Sequence, residues 1–340
     1  MTLRMGVLGL GFMGKCHYET YGKLQGAKVT AICDVDERKR SGDWSSIAGN
    51  IGAAGEKMDL SGVKAYAEAE KLFADPDVDV VDITLPTFLH APMAVKALNA
   101  GKHVVCEKPM ALTSVAAKQM IEAARKAKRL LFISHCIRFW PAYAKAREIV
   151  LSGKHGKVLS ATFRRVSSTP LWSWTNWLQT PAQSGLCALD LHIHDADFIL
   201  YCFGAPKSVS SHYAGFKPRR VDHICTTYHY GTGRLVHAEG AWEYARGFPF
   251  SMSFVITMQK ATLNCPSDLK LMLYHPDGEP EAVDVPAGDG YFCELQHFVE
   301  CITAGKPSPI VPPQSAYQSV KLIEAEVKSA LTGKTVPVKL

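Results

Sequence analysis

The sequence predicts an α/β domain built on a doubly wound parallel sheet, followed by an α+β domain with an open, mostly antiparallel sheet. Three observations carry this expectation. Short β-branched runs alternate with helix-length segments over the first third of the chain. One strand-to-helix turn there reads Gly9-Leu10-Gly11-Phe12-Met13-Gly14, and beyond about residue 153 strand-like runs follow one another with few helices between them. The 340 residues exceed a usual single core. Two domains are therefore expected, over 1–134 and 135–340, with the C-terminal helix free to pack back on the first.

In the first domain, strands are expected at 5–8, 29–33, 78–83, 103–106 and 130–133, and helices at 13–24, 91–100 and 114–127. Strands separated by helices need crossover connections, which make the sheet parallel. The near-continuous run Val78-Asp79-Val80-Val81-Asp82-Ile83 agrees, because such a sheet is covered on both faces. From Asp36 to about Gly62 the rhythm breaks, with glycines at 42, 49, 52, 55 and 62, so a long surface loop is expected. Its Gly49-x-x-Gly52-x-x-Gly55 is not read as a second phosphate loop, since no strand leads into it. In the second domain the strand runs are 157–166, 208–215, 223–230, 234–242, 251–258 and 270–274. One helix is expected at 186–202 and two more at 293–304 and 314–331.

Composition narrows the partners. The formal charge of +6 is spread along the chain, and the basic stretch 125–129 reads as the solvated end of a helix, so nucleic acid is not expected. The mild basic excess suits an anionic small molecule. No run approaches the roughly 20 apolar residues of a membrane span. The ten cysteines contain no C-x-x-C pair, which fits reduced thiols and a cytoplasmic setting. The apolar start at 5–13 is interrupted by glycines and lacks a small-residue cleavage site, so no export is expected.

The glycine turn has the spacing of a dinucleotide site. Gly9 permits the tight turn, Gly11 removes a Cβ where the backbone meets a pyrophosphate, and Gly14 lets the helix approach the strand. The helix start, with Phe12 and Met13, offers free N–H groups to the anion. Asp34 ends the next strand, twenty residues after Gly14, where a carboxylate accepts hydrogen bonds from the adenosine ribose hydroxyls. It would repel a 2′-phosphate. Arg38, Lys39 and Arg40 follow and could attract one, with a solvated helix start as the plainer reading. NAD is expected over NADP, with Arg38 beside the adenosine.

Further motifs are Leu85-Pro86-Thr87-Phe88-Leu89-His90, Glu107-Lys108-Pro109, Arg138-Phe139-Trp140-Pro141, Asn176-Trp177-Leu178 and the run from Gly185 through Asp190, His194 and Asp197. Together they resemble the glucose–fructose oxidoreductase / inositol dehydrogenase (Gfo/Idh/MocA) family across essentially the whole chain. The resemblance implies an NAD(P)-dependent dehydrogenase of a sugar, inositol or related polyol that works without a metal. It makes the first domain the dinucleotide-binding Rossmann domain and the second the substrate-binding and oligomerisation domain. It places Lys108, Asp190 and His194 in the pocket, and Leu85, Pro86, His90 and Glu107 along the cofactor's nicotinamide ribose. The chemistry agrees. An imidazole such as His194 suits the role of base for a hydroxyl proton near neutral pH. An ammonium such as Lys108 stabilises a developing alkoxide. Asp190 lies four residues before His194, so on one helix they share a face, which Asp197 continues. Two alternatives stay open: a dinucleotide-sensing regulator without turnover, and a glycosidase of the same family that uses NAD transiently.

The sequence also departs from the family pattern. His192 stands where relatives usually carry glycine in Asp-x-Gly-x-His. Two residues apart on a helix, His192 and His194 point about 200° from each other, so a metal is not expected and a packed or hydrogen-bonded His192 is. The glycine pair common before this helix is reduced to Ser184-Gly185. Trp172, Trp174 and Trp177 either stack on a sugar's apolar face or pack a loop of the second domain. His135, Arg138 and Arg165 are further candidates for the pocket, Arg138 equally for the joint between domains. An open sheet face with alternating apolar residues needs cover, so a homodimer or homotetramer is expected.

Overall fold

The computed structural model describes residues 2–49, 55–231 and 233–340. Gly52, and with it the middle of the Gly49-x-x-Gly52-x-x-Gly55 stretch, lies outside the described residues. The chain forms two compact units. One comprises Met1–Cys136, Leu171–Ser184 and Tyr291–Tyr317, the other Ile137–Pro170, Gly185–Gly290 and Gln318–Leu340.

The first unit runs β1 (Leu3–Leu8), α1 (Phe12–Tyr21), β2 (Ala27–Cys33), α2 (Glu37–Arg40), β3 (Lys64–Tyr66), α3 (Ala69–Ala74), β4 (Val80–Ile83), α4 (His90–Asn99), β5 (His103–Glu107), α5 (Ser114–Ala127) and β6 (Leu131–Ser134). Its six strands are all parallel in the order β3-β2-β1-β4-β5-β6, the doubly wound Rossmann arrangement. The apolar runs that predicted β4, β5 and β6 are buried almost throughout. The carboxyl ends of β1 and β4, where the order reverses, form the switch point at which such sheets bind ligands.

The glycine-rich stretch after Asp36 proves to be built around a core of its own. Trp44 is fully buried, donates its indole N–H to the Lys39 carbonyl at 2.8 Å and meets Tyr18 edge-on at 4.9 Å. Two glycines allow the backbone to close on it: a Cβ at Gly42 would lie 2.4 Å from the Met58 carbonyl oxygen, and one at Gly55 1.7 Å from that of Trp44.

The second unit opens with α6 (Pro141–Leu151) and β7 (Val158–Ser168). The chain then passes through α7 (Pro181–Ser184), which belongs to the first unit, and continues with α8 (Leu186–Asp190) and α9 (Ile193–Phe203). The strands β8 (Ser208–Ala214), β9 (His223–His229), β10 (Leu235–Tyr244), β11 (Ser251–Met258), β12 (Thr262–Cys265), β13 (Met272–Tyr274) and β14 (Glu281–Ala282) follow. After them come α10 (Gly290–Thr303), which from Tyr291 on belongs to the first unit, α11 (Pro313–Thr332), which passes into the second unit at Gln318, and β15 (Val336–Pro337). The nine strands order as β14-β13-β12-β11-β7-β10-β9-β8-β15, and only β7 and β10 pair in parallel. The mixed, mostly antiparallel sheet matches the expected fold class. On its covered face, Phe163 and Phe254 pack with Phe198 of α9 and Tyr143 of α6. The other face leaves Leu235 54% and Val255 39% exposed.

The helix expected over 186–202 is two helices. Leu191 N–H bonds the Cys187 carbonyl in ordinary register. His192 N–H reaches back five residues to the same oxygen, and His194 N–H takes the nearer Leu191 carbonyl. The ladder slips at this point, so the shared-face argument for Asp190 and His194, which assumed one continuous helix, does not carry across the break. Continuous apolar spacing through 186–202 gave no sign of it.

Candidate cofactor and substrate sites

The glycine turn follows β1. Gly9 has φ of +98° and donates its N–H to the Cys33 carbonyl at 2.8 Å. The Thr84 hydroxyl donates to the Gly9 carbonyl at 2.6 Å. Added Cβ atoms separate the roles of the three glycines. At Gly9 one would meet Leu85 Cδ2 at 2.8 Å, and at Gly14 one would sit 1.9 Å from the Gly9 oxygen. At Gly11 nothing lies within 4 Å. The protein itself demands Gly9 and Gly14, whereas Gly11 opens onto space that a ligand can use. α1 begins there without a side-chain cap, and the first N–H groups of a helix have no acceptor within it. An extended anion fits this place.

Asp34 holds the turn from the side, accepting the Leu10 N–H at 2.7 Å through Oδ2 and the Asp36 N–H at 2.8 Å through Oδ1. Each carboxylate oxygen keeps a second lone pair for ribose hydroxyls. The basic run beyond is largely committed. Arg40 donates to the Asp34 and Val35 carbonyls, and Lys39 lies 3.8 Å from Asp34 Oδ2. Arg38 is 70% exposed and 3.3 Å from Asp36. Phe12 is flanked by Trp172, edge-on at 5.7 Å, and by Gly49, where a Cβ would strike the ring at 2.1 Å. The tryptophan segment therefore packs with the first unit rather than as a loop of the second, and α7 packs on the turn at Thr87–Leu89 that follows Pro86. Trp172 and Trp174 are partly exposed, and Trp177 is half-buried.

Two residues expected along the cofactor turn inward instead. His90 is fully buried, with Nδ1 2.8 Å from the Pro109 carbonyl and Nε2 2.8 Å from that of Leu85. Burial pushes its imidazole below the ordinary range. With both nitrogens on backbone it staples the loop after β4 to the loop after β5 and has no atom left for a cofactor. Glu107 is 5% exposed. One oxygen faces His17 and the other accepts the Lys108 N–H at 3.0 Å. Burial would raise its carboxyl, but the His17 contact outweighs this and holds it low. Lys108 follows at the carboxyl end of β5, half-buried, and its bond to Pro109 is cis. His135, just after β6, is buried.

In the second unit, Asp190 ends α8 and His194 lies in the first turn of α9, both half-buried. Three buried charged contacts anchor this region. His192 Nε2 is 2.8 Å from Glu326 Oε2 of α11, and Thr226 donates to the same oxygen. Arg165 binds Asp195 with both arms, at 2.9 and 3.0 Å, and Arg138 binds Asp197 likewise, at 2.8 and 2.6 Å, with the Ser319 hydroxyl on Asp197 as well. Arg165 was expected to meet substrate. Its guanidinium is 2% exposed and held by Asp195, so it supports α9 instead. His192 lies against Gly240, where an added Cβ would meet the His192 Cβ at 2.7 Å and its ring Nδ1 at 2.9 Å. Its place is that of a packed, hydrogen-bonded side chain. Among the described residues, no group of three or more His, Cys, Asp or Glu is placed to hold a metal ion. No local pattern marked Thr84, His17 or Glu326, whose partners lie far along the chain.

Strand order, glycine turn and Asp34 together define a dinucleotide-binding oxidoreductase fold. Comparison with known proteins makes this specific. Residues 3–135 match the oxidoreductase family with NAD-binding Rossmann fold, and residues 143–264 match the GFO/IDH/MocA C-terminal domain. The chain belongs to the Gfo/Idh/MocA family. It is 34% identical over 171 residues to an inositol 2-dehydrogenase of Salmonella typhimurium, covering 50% of this chain and 47% of that protein. It is 36% identical over 164 residues to a 1,5-anhydro-D-fructose reductase of Ensifer adhaerens, covering 47% and 49%. These matches span about half the length of the curated relatives. A levoglucosan dehydrogenase solved with NADH and levoglucosan superposes with a TM-score of 0.85 over 100% of both chains at 22% identity, which shows a shared fold.

Proposed function

We propose that the protein is an NAD-dependent dehydrogenase or reductase of a sugar, inositol or related polyol. The observation that carries this is the switch point of the first unit. There an open Gly11 at an uncapped helix start, with Asp34 beside it, shares the carboxyl edge of one parallel sheet with the chemically competent Lys108. The names of the two relatives, an inositol 2-dehydrogenase and a 1,5-anhydro-D-fructose reductase, support the substrate class.

When bound, NAD supplies the two-electron acceptor of an alcohol oxidation, or as NADH the donor for the reverse. The chain's own part follows from its side chains. Backbone N–H groups at the start of α1 hold the pyrophosphate, and Asp34 takes ribose hydroxyls. The Lys108 ammonium stabilises the oxygen of the reacting carbon as it gains negative charge. His194 removes the hydroxyl proton in one direction and returns it in the other, while Asp190 orients the substrate hydroxyl or the imidazole. The acid–base work lies with these side chains and needs no metal.

The test is to follow nicotinamide absorbance with NAD and a panel of inositols, aldoses and 1,5-anhydrosugars. Turnover of one of them is expected. Silence with every compound and with both NAD and NADP would defeat the proposal and favour a regulator. Glycoside cleavage without accumulated NADH would instead identify a glycosidase. We propose also that a second copy covers the sheet face carrying Leu235 and Val255, giving a homodimer or homotetramer, which sedimentation equilibrium measures. A cytoplasmic location agrees with the absence, among the described residues, of any helix long and apolar enough to cross a membrane.

A further inference from the structure

Three ionisable side chains meet inside the first unit. His17 stands on α1, three residues after Gly14, and its Nδ1 is 2.8 Å from Asp82 Oδ2 on β4. Its Nε2 lies 3.2 Å from Glu107 Oε1 at the end of β5, an ion-pair distance without well-aligned hydrogen-bond geometry. The side chains of His17 and Asp82 are fully buried and that of Glu107 is 6% exposed. Both ring nitrogens face acceptors. A neutral imidazole donates from one nitrogen only and would set its other lone pair against a carboxylate, whereas the imidazolium suits both sides.

The surroundings agree. Burial drives the His17 imidazole down, but the Asp82 and Glu107 carboxylates outweigh it and hold it well above its usual range. The other titratable groups facing the cluster are Tyr21 on α1, Cys106 on β5, His90 on α4, and Tyr291 and Glu294 on α10. Burial pushes Tyr21, Cys106 and Tyr291 up and His90 down, so all four stay neutral and none replaces the cation. Glu294 adds a carboxyl group, not a positive charge. Beyond His17, the cation that acts on Glu107 is Lys108 itself.

We propose that His17 is a positioning residue: as the imidazolium between Asp82 and Glu107 it holds the Glu107 carboxylate in place, and Glu107 in turn fixes the Lys108 backbone through its N–H. The inference rests on the reading of Lys108 as the group that stabilises the reacting oxygen. Without the His17 cation, two buried carboxylates face each other and one takes up a proton. When that one is Glu107, its hold on the Lys108 N–H weakens and the Lys108 side chain loses its place.

The experiment is the pH profile of kcat/KM, with NAD and the best sugar of the panel, for the wild type and for His17→Gln, Glu107→Gln and Asp82→Asn. At the optimum of each profile, His17→Gln and Glu107→Gln should each lower kcat about tenfold, with the KM for the sugar changed less than about threefold. NAD affinity should change less than about threefold in both. Asp82→Asn takes away the carboxylate that does most to hold the His17 cation and should lower kcat in the same direction. A His17→Gln enzyme whose kcat matches the wild type at every pH overturns the proposal. A separate measurement, the nitrogen-15 NMR titration of the wild-type histidines, should find one imidazole still protonated well above neutral pH. A neutral His17 at pH 7 overturns the proposal even if His17→Gln does not fold. Should no sugar turn over, the dehydrogenase reading fails while the NMR titration still decides the state of His17.

Discussion

The glycine turn of the first unit and the α8–α9 segment of the second are built by opposite means. The turn is made of backbone, shaped by two close approaches that exclude any side chain and held by Thr84 and Asp34. The α8–α9 segment is made of side-chain charge, fixed by His192–Glu326, Asp195–Arg165 and Asp197–Arg138. A backbone site depends on residue type at fixed local spacing. A charge-held site depends on partners supplied by β7, α11 and the segment before α6, far away in sequence. The first tolerates little substitution at Gly9 and Gly14. The second tolerates change at its visible residues more readily than at its hidden partners.

The largest expected effect tests the charge-held segment. Arg165→Ala leaves Asp195 buried without its cation, which should cost about 3–5 kcal/mol and appear in calorimetry as a marked fall in melting temperature. A melting temperature within about one degree of the wild type would show that packing, not charge, holds α9. Next comes Lys108→Ala. It should lower kcat by about 10²–10³-fold with NAD affinity nearly unchanged, as single-turnover kinetics and calorimetric titration will read. Smaller is His192→Gly, which restores the Asp-x-Gly-x-His pattern of the family resemblance. It removes the partner of buried Glu326 and should cost about 1–3 kcal/mol in denaturant unfolding. Equal stability would make His192 an idle departure. The smallest belongs to the backbone site. Gly11→Ala should leave the melting temperature unchanged and weaken NAD about tenfold, or about 1.4 kcal/mol. Gly14→Ala, by contrast, should not fold normally, and a stable Gly14→Ala with full NAD affinity would break the distinction between the two regions.

The same contrast explains what the sequence made legible. The doubly wound sheet, the glycine turn and Asp34 could be read because their signals are local: apolar period, glycine spacing and a carboxylate at a strand end. β3 went unseen because it is three residues long and mostly exposed at the sheet edge. The break between α8 and α9 went unseen because a one-residue slip of the hydrogen-bond ladder leaves apolar spacing intact. His17 carried no signal because its partner Asp82 lies 65 residues away. His90 and Glu107 were placed beside the cofactor by the family resemblance, and Arg165 was offered as a further candidate for the pocket. Burial and hydrogen bonding give them to the scaffold, since a side chain whose polar atoms are all spent inside cannot also reach outward.

The vacant surroundings of Gly11 have a practical side. Most glycines in a fold cannot be changed without bending something. A Cβ at position 11 would meet no protein atom within 4 Å beyond its chain neighbours, so added bulk there is felt first by whatever occupies the cradle. A series of Ala, Ser and Val at this one position would grade cofactor affinity in steps while leaving the folded state alone. The position would then serve as a dial for matching the protein to a chosen nicotinamide concentration, for instance in a reporter of cellular redox supply.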